Sequence, residues 1–250
     1  MSLLFDKVAV ITGASRGVGY AAGKKLCEKF PGATIYLTTK NMEVTEELNK
    51  TMRDDFSGSS EHCQYLHLDV NSTRNVDELK DMVKSRHETL DILINNAGIY
   101  MKPDTSSPQV FGEQAESIIG TNYWGLKNVI NGLKGVFTPG ARIVNMSSHL
   151  GHLSMINGDS KQSLLLREAL ADPYLSEKDL DSMMHQFVEV SKSGSWVKAG
   201  WPNCAYTVSK VGINLISHYN KYRALLCILR LLSMPIPEFF RGSSMKKATV

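Results

Sequence analysis

Tyr206 and Lys210 lie four residues apart in a stretch, residues 205–210, that we expect to be helical. Residues with this spacing share one face of a helix, so the Tyr206 phenol and the Lys210 ammonium can point into one cleft. A neighbouring cation favours the phenolate, which lowers the pKa of the tyrosine toward neutral pH, where it can exchange protons. The pair also fits a half-buried tyrosine beside a solvated lysine, and only the surrounding residues separate the two interpretations.

Two further polar residues occur where the sequence is otherwise apolar. Ser148 follows a predicted strand at residues 141–146, and a serine at that point can act as a nucleophile, a hydrogen-bond donor or a helix cap. Asn122 lies in a predicted helix, residues 115–133, beside an apolar face. A buried amide needs hydrogen-bond partners there, whether it serves the chemistry or only the packing.

A glycine-rich turn near the N-terminus predicts nucleotide binding. Residues 7–11 have the pattern of a buried strand, and Gly13, Gly17 and Gly19 follow it as an apolar-periodic helix begins. Glycines let the backbone turn tightly and approach a pyrophosphate, and the helix N-terminus adds free amides and a favourable dipole. The alternative is a glycine turn that serves only the geometry of the chain.

The residues after the second and third predicted strands, 33–38 and 64–68, indicate the cofactor. In such folds the end of the second strand meets the adenosine ribose, where an acidic residue favours NAD. This sequence instead has Lys40 there, and together with Arg16 it can meet the 2′-phosphate of NADP, so we predict NADPH. The alternative is two solvated surface cations. Asp69 either accepts a hydrogen bond from the adenine amino group or caps the next helix.

Strand and helix patterns alternate along the chain, and a fourth predicted strand, residues 90–94, ends in Asn95 to Gly98. This alternation predicts an α/β fold, a Rossmann-type doubly wound parallel sheet with helices on both faces and a ligand crevice at the carboxyl ends of the strands. The residues that we predict to bind the nucleotide are Gly13, Ser15, Arg16, Gly17, Val18, Gly19, Lys40, Asp69, Val70, Asn96, Ala97, Gly98, Tyr206 and Lys210.

The overall composition names no macromolecular partner. The 250 residues, 42% of them hydrophobic, fit one domain spanning residues 1–250. A net charge of +3 without runs of like charge argues against a nucleic-acid or membrane surface. We find no signal peptide and no membrane-spanning run, so we expect a cytoplasmic protein. The four cysteines lack paired spacing and are expected to be reduced, and the histidines lack metal-ligand spacing, so we expect no metal site.

Taken in order, the motifs resemble those of the short-chain dehydrogenase/reductase family over about residues 5–220. They are Thr12-Gly13-x-x-x-Gly17-x-Gly19, Asn95-Asn96-Ala97-Gly98, Asn122, Ser148 and Tyr206-x-x-x-Lys210. The long segment between Ser148 and Tyr206, with Gly200-Trp201-Pro202 near its end, is similar to the monomeric carbonyl reductase branch of that family.

The resemblance implies hydride transfer from NADPH to the carbonyl carbon of a small molecule. In it Tyr206 donates the proton, Lys210 holds the nicotinamide ribose and lowers the pKa of Tyr206, Ser148 positions the carbonyl oxygen, and Asn122 supports a water that leads protons in from solvent. A serine hydrolase is the rival use of Ser148, but the sequence lacks a G-x-S-x-G elbow and a well-placed histidine and acid.

The segment of about residues 151–202 is expected to form a helical insertion before Tyr206. Ser176 to Asp179 resembles a capping box that opens an amphipathic helix. In the branch that the chain resembles, such an insertion covers the surface through which other members form oligomers. The resemblance therefore implies a monomer.

The C-terminal residues depart from the family pattern. A helix can extend over residues 211–232, but two prolines follow, and the tail at residues 233–250 is polar. We expect the last one or two strands of the sheet to be missing, which would leave a sheet edge uncovered. Two hypotheses therefore remain: an active NADPH-dependent carbonyl reductase, or a catalytically weak family member that binds nucleotide and acts by association.

Overall fold

The computed structural model describes residues 6–55, 62–219 and 223–228, and in these ranges strands and helices alternate. The described strands are β1 (Val8–Ile11), β2 (Thr34–Thr39), β3 (Cys63–His67), β4 (Leu90–Asn95), β5 (Phe137–Ser147) and β6 (Arg223–Ile228). The described α-helices are α1 (Gly17–Lys29), α2 (Met42–Asp55), α3 (Thr73–His87), α4 (Pro108–Ile119), α5 (Leu126–Leu133), α6 (Lys161–Ala171), α7 (Glu177–Lys192) and α8 (Ala205–Tyr219).

The six strands form one parallel sheet in the order β3-β2-β1-β4-β5-β6. The chain reverses its direction of travel across the sheet at β1, where Val10 pairs with Tyr36 on one side and with Leu93 on the other. The predicted doubly wound α/β sheet is confirmed. Because ligands bind such sheets at the reversal point, the crevice is expected outside the carboxyl ends of β1 and β4.

Both faces of the sheet are buried, which explains the apolar runs of its strands. Successive residues of β1 point to opposite faces, so Val10 packs in the larger core and Ile11 in the smaller one. The larger core contains residues of α3, α4, α5, α7 and α8, and the smaller core contains residues of α1 and α2. A strand covered on both faces carries no polar alternation, as the sequence of β1 shows.

The sixth strand corrects the expected course of the C-terminal part. Residues 223–228 pair in parallel with β5, with Val144 opposite Leu225, whereas the sequence predicted helix through residue 232. The five apolar residues from Ala224 to Ile228 are enough for a buried strand, and periodicity alone does not distinguish such a run from a helix. The edge of β5 is therefore covered. The predicted absence of a seventh strand and the polar tail concern residues 229–250, which lie outside the described residues.

The helix predicted over residues 115–133 is interrupted. Helix α4 begins at Pro108 after the capping residue Ser107, and a π-helical turn, Gly120–Gly125, separates it from α5. At Gly125 an added Cβ would lie 2.7 Å from the Val70 side chain, so this turn passes close to the residues that follow β3. A π turn inserts one residue into a helix and commonly marks a functional site.

The insertion before Tyr206 is helical, with α6 and α7 packed against the main core. Ser176 and Asp179 form the predicted capping box, in which the Asp179 amide donates to the Ser176 hydroxyl at 3.1 Å. Helix α7 buries Met184 and Phe187 completely, and the Phe187 ring lies 5.2 Å from that of Trp201. The insertion therefore shares its apolar contacts with α4 and α8 rather than forming a core of its own.

An ion-pair cluster fastens α7 to the region of the π turn. The Lys127 ammonium lies 2.6 Å from an Asp181 oxygen and 2.8 Å from a Glu177 oxygen, and the Tyr123 hydroxyl donates to Asp181 at 2.8 Å. The Lys127 side chain is only 10% exposed, whereas those of Asp181 and Glu177 are 27% and 45% exposed. Because a buried ammonium requires charged partners, these carboxylates hold the insertion against α5.

The prediction that the cysteines are reduced is wrong for one pair. Cys27 on α1 and Cys63 at the start of β3 form a disulfide, with their Cα atoms 6.3 Å apart. Both side chains belong to the smaller core, although 36 positions separate the two residues in sequence. Such a pairing depends on tertiary packing and leaves no spacing pattern. Cys204 is a free, partly exposed thiol.

Across residues 6–55, 62–219 and 223–228, no helix combines the length and apolar content needed to cross a bilayer. Over the same ranges, no three side chains of histidine, cysteine, aspartate or glutamate are grouped so that they could hold a metal ion.

Candidate active site

A cleft of about 1160 Å³ lies at the carboxyl ends of the strands, where the reversal of the sheet predicts it. All fourteen residues predicted to bind the nucleotide line this cleft. They are Gly13, Ser15, Arg16, Gly17, Val18, Gly19, Lys40, Asp69, Val70, Asn96, Ala97, Gly98, Tyr206 and Lys210. Residues from five strand ends and from α8 thus face one space, although 197 positions separate Gly13 from Lys210 in sequence (210 − 13).

The glycine turn is tight and leaves open space beside its backbone. Gly13 has φ +64°, and a Cβ there would lie 2.7 Å from the Ala97 Cα atom. Gly17 has φ +60° and open space around it, so its backbone faces the cleft without obstruction. A Cβ at Gly19 would collide with the Asn96 side-chain amide. These positions therefore exclude side chains on one side and leave room for a ligand on the other.

Thr12 and Asn96 tie the glycine turn to the end of β4. The Thr12 hydroxyl accepts hydrogen bonds from the backbone amides of Asn96 and Ala97, both at 3.0 Å. The Asn96 side-chain amide donates to the carbonyls of Thr12 at 3.0 Å and Gly13 at 2.8 Å. Four hydrogen bonds thus fix the floor of the cleft. Asn96 acts through this network and not only as a lining residue.

The N-terminus of α1 is available for an anion. Its N-cap, Arg16, has an extended backbone, makes no side-chain capping bond and is exposed. The first amides of a helix that lacks a side-chain cap retain their hydrogen-bonding capacity, and the helix dipole favours negative charge there. The residues present therefore fit a dinucleotide phosphate.

Lys40 and Asp69 form an ion pair across the cleft, with Lys40 Nζ 3.1 Å from Asp69 Oδ2. Asp69 also accepts from the Asn71 backbone amide at 3.0 Å. The alternative that Asp69 caps the next helix is wrong, because Ser72 is the N-cap of α3 and accepts from the Asn75 amide. Lys40 keeps 74% of its side chain exposed, so the pairing leaves its ammonium accessible from the cleft.

Tyr206 and Lys210 face each other at the inner end of the cleft. Lys210 Nζ donates to the Met146 carbonyl at 2.7 Å and lies 5.4 Å from the centroid of the Tyr206 ring. Burial lowers the pKa of Lys210 to about 8, because the charged ammonium loses its hydration. The two residues share one face of α8, as their spacing predicts.

The pKa of Tyr206 moves opposite to the prediction. Burial of the phenol raises the pKa, a hydrogen bond with the Ser148 side chain opposes this by favouring the phenolate, and the acidic groups of Cys204 and Tyr100 raise the pKa further. The ammonium of Lys210 is directed to the Met146 carbonyl, while loss of hydration dominates at the hydroxyl. In this structure Tyr206 is therefore held as the neutral phenol.

Ser148 combines two of the roles that its position allows. It is the N-cap of the short helical turn His149–Gly151, where its hydroxyl accepts from the Leu150 amide at 3.3 Å. The same side chain hydrogen-bonds the Tyr206 hydroxyl. The cap fixes where the serine points, and the second bond joins it to the tyrosine.

Asn122 is buried in the π turn and is fully engaged with protein groups. Its side-chain oxygen accepts from the Ile99 amide at 2.8 Å, and its side-chain nitrogen donates to the Ile99 carbonyl and to the Ser209 hydroxyl, both at 3.0 Å. Ser209 donates in turn to the Tyr206 carbonyl at 2.8 Å. The side chain thus ties the loop after β4 to α8. Neither Asn122 nor Ser148 lines the cleft directly.

Comparison with known proteins agrees with this geometry. Residues 7–160 match the family model described as short chain dehydrogenase. The chain is 32% identical over 210 residues to carbonyl reductase [NADPH] 1 of Mus musculus, covering 84% of this chain and 72% of the relative. It is 31% identical over 212 residues to carbonyl reductase [NADPH] 3 of Homo sapiens, covering 85% and 73%. The chain belongs to the short-chain dehydrogenase/reductase family.

Solved structures of similar shape are also reductases. Menthone neomenthol reductase from Mentha piperita has a TM-score of 0.75 and 25% identity, with 87% of this chain and 85% of that chain covered. Salutaridine reductase from Papaver somniferum has a TM-score of 0.73 and 25% identity, with 84% and 80% covered. The predicted family is confirmed, and the chain is an oxidoreductase of the short-chain dehydrogenase/reductase family.

Several lining residues of this dehydrogenase/reductase were not predicted from the sequence. They are Thr39, Asn41, Val44, Leu68, Asn71, Ile99, Tyr100, Thr121, Met146 and Ser147. Most of them are next to a predicted residue in sequence, so extending the prediction by one residue at each strand end would have found them. Tyr100 differs, because its ring reaches Tyr206 and no periodicity indicates that contact.

The lowered pKa of Lys210 predicts a pH dependence of stability for this family member. Between about 8 and the ordinary value of 10.5 the unfolded chain binds a proton that the folded chain does not, so the Lys210 contribution to the free energy of unfolding rises with pH. Urea unfolding of the wild type and Lys210→Met at pH 7.5 to 9.5 measures it. The wild type should gain stability relative to the variant, and a constant or falling difference would contradict the prediction.

Proposed function

We propose that the protein reduces the carbonyl groups of small molecules to alcohols with NADPH, with Tyr206 as the proton donor. Quinones, aldehydes and ketones are the substrate class. The observation that carries the proposal is the pair of Tyr206 and Lys210 at the inner end of a cleft whose outer part fits a dinucleotide, with the Ser148 side chain hydrogen-bonded to Tyr206. The carbonyl reductase [NADPH] relatives support the same reaction and cofactor.

In this proposal the cofactor is held by the chain along the cleft. The glycine turn and the first amides of α1 bind the pyrophosphate, and Arg16 with Lys40 meets the 2′-phosphate. Lys210 binds the nicotinamide ribose. NADPH, when bound, supplies the hydride that the carbonyl carbon accepts.

The side chains at and behind the inner end of the cleft position the carbonyl oxygen and supply its proton. Ser148 donates a hydrogen bond to the carbonyl oxygen and so polarises the carbonyl group, and the Tyr206 hydroxyl transfers its proton to that oxygen as negative charge develops. A phenol is protonated at neutral pH, and burial raises the pKa of Tyr206 further from neutrality, so the proton is present when it is needed. The Lys210 ammonium, 5.4 Å from the ring centroid, favours the phenolate that remains.

Binding and turnover together test the proposal. NADPH fluorescence is titrated with the protein, and a panel of quinones and aromatic aldehydes is then added while NADPH oxidation is followed. Binding accompanied by turnover supports the proposed reaction. Binding without turnover would contradict it and favour the second hypothesis, a nucleotide-binding member that acts by association.

The cofactor preference gives a separate prediction. Replacing Arg16 or Lys40 by alanine should raise the Kd of NADPH roughly tenfold, which corresponds to about 1.4 kcal/mol per variant, and leave the Kd of NADH within about twofold. Fluorescence titration with both cofactors measures the two Kd values. Lys25→Ala, which removes an exposed lysine of α1 that does not line the cleft, serves as the control. Equal binding of NADH and NADPH by the wild type would refute the role given to these cations.

We further propose that the chain acts as a cytoplasmic monomer. The support is the helical insertion, because α6 and α7 pack onto the main core. In the branch that the chain resembles, such an insertion covers the surface through which other members form oligomers. Light scattering coupled to size exclusion at micromolar concentration should give a mass close to 27.7 kDa. A dimer mass would contradict the proposal.

A further inference from the structure

Tyr100 is an exposed aromatic side chain placed against the candidate proton donor. Its ring centroid lies 5.2 Å from that of Tyr206, with the two ring planes at 89°. It lines the cleft, yet 60% of its surface remains exposed. An aromatic ring that is open on one side and packed on the other offers apolar contact to a molecule that reaches Tyr206.

The backbone on both sides of Tyr100 is anchored. Before it, Asn122 forms two hydrogen bonds with Ile99, one to the amide and one to the carbonyl. After it, the Gln114 side chain donates to the Lys102 carbonyl at 3.1 Å and accepts from the Asp104 amide at 3.1 Å. The loop that carries Tyr100 is therefore attached to the π turn and to α4, so the ring occupies a defined place.

Tyr206 is thus contacted from two directions. Lys210 Nζ approaches its ring at 5.4 Å, and the Tyr100 ring meets it edge to face. Edge-to-face pairs are attractive because the positive edge of one ring meets the negative face of the other. The Tyr100 ring therefore restricts the orientation of the Tyr206 ring and lines the cleft together with it.

We propose that Tyr100 is a positioning and specificity-determining residue, which orients Tyr206 and packs against the substituent of the carbonyl compound. The inference rests on the proposed carbonyl reduction. A planar aromatic substrate gains contact with the exposed ring while its carbonyl oxygen lies at Tyr206, whereas a short aliphatic aldehyde is too small to reach both groups. Tyr100 therefore raises selectivity for large aromatic carbonyl compounds over small aliphatic ones.

The test compares Tyr100→Ala with Tyr100→Phe on 9,10-phenanthrenequinone and propanal. Tyr100→Ala should raise the KM for the quinone about tenfold and leave the KM for propanal within about twofold, because only the larger molecule loses a contact. A smaller fall in kcat for both substrates would follow from the looser Tyr206. Tyr100→Phe should restore the quinone KM to within about twofold of the wild type, since it retains the ring.

Two controls separate this role from damage to the fold or the cofactor site. The Kd of NADPH should stay within about twofold in both variants, and Tyr174→Ala, at a tyrosine that is 90% exposed and does not line the cleft, should change neither KM. Equal changes for both substrates, or failure of Tyr100→Phe to restore the quinone KM, would overturn the role of Tyr100 alone. A wild type that binds NADPH and turns over neither substrate would overturn the carbonyl reduction and this inference with it.

Discussion

Tyr206→Phe is expected to lower kcat/KM for quinone and aldehyde reduction by about a thousandfold, within the range that loss of a general acid produces. Phenylalanine retains the ring, and therefore the contacts with Lys210 and Tyr100, and removes only the hydroxyl that hydrogen-bonds Ser148. The change removes the proton source and leaves in place the other thirteen residues that are predicted to bind the nucleotide. The Kd of NADPH should accordingly stay within about twofold.

Steady-state kinetics and NADPH fluorescence titration on the same preparations measure the two quantities. Tyr174→Phe is the matched control, because it makes the same chemical change at an exposed residue outside the cleft. Thermal unfolding of both variants verifies that they are folded. Turnover by Tyr206→Phe within tenfold of the wild type would show that another group supplies the proton.

The second large effect is expected at the ion-pair cluster between α5 and α7. Asp181→Ala should lower the free energy of unfolding by about 2–3 kcal/mol, because it removes one carboxylate from a mostly buried ammonium and the acceptor of the Tyr123 hydroxyl. The loss should be less than for a fully buried pair, since Asp181 is 27% exposed and Glu177 still contacts Lys127. Urea unfolding measures it.

An exposed ion pair in the same protein provides the comparison. Lys192 and Glu116 lie 2.8 Å apart with side chains 42% and 62% exposed, so Glu116→Ala should cost less than about 1 kcal/mol. The double variant Lys127→Met with Asp181→Ala should lose less stability than the two single variants added together, because it leaves no unpaired buried charge. If Asp181→Ala lowered the free energy of unfolding no more than Glu116→Ala does, the cluster would not stabilise the packing of the insertion.

The sheet and most of its helices follow from local patterns in the sequence. Buried strands such as residues 8–11 are continuous apolar runs, and α7 begins at a capping box that four neighbouring residues specify. The nucleotide-binding side of the cleft was also predictable from the sequence, since glycine spacing and the ends of strands are local features. The structure brings the predicted residues to one cleft because parallel strands deliver their carboxyl ends to one edge.

Features that depend on contacts between distant residues were not predictable in this way. The disulfide joins Cys27 to Cys63 because the fold brings both side chains into the smaller core, and the contact of Tyr100 with Tyr206 arises where a loop after β4 meets α8. The raised pKa of Tyr206 has the same origin, because burial is a property of the folded chain and the spacing of Tyr206 and Lys210 does not report it. The π turn at Asn122 was also not predicted, because the apolar periodicity of residues 115–133 fits an uninterrupted helix.

The sixth strand illustrates how an apolar run leaves two structures open. Residues 223–228 suit the end of a helix or a short buried strand, and pairing with β5 decides between them. With this strand present, β5 has hydrogen-bonding neighbours on both sides, β4 and β6.

The hydrogen bonds between Asn122 and Ile99 use a side-chain amide in the way that a neighbouring strand would use its peptide group. They involve only main-chain atoms of Ile99, so the position of the loop does not depend on which side chain it presents at residue 100. The hydrogen bonds that hold the loop are therefore independent of the side chain that contacts the substrate. A library confined to residue 100 could change which carbonyl compounds are accepted while the loop, the π turn and α8 keep their arrangement.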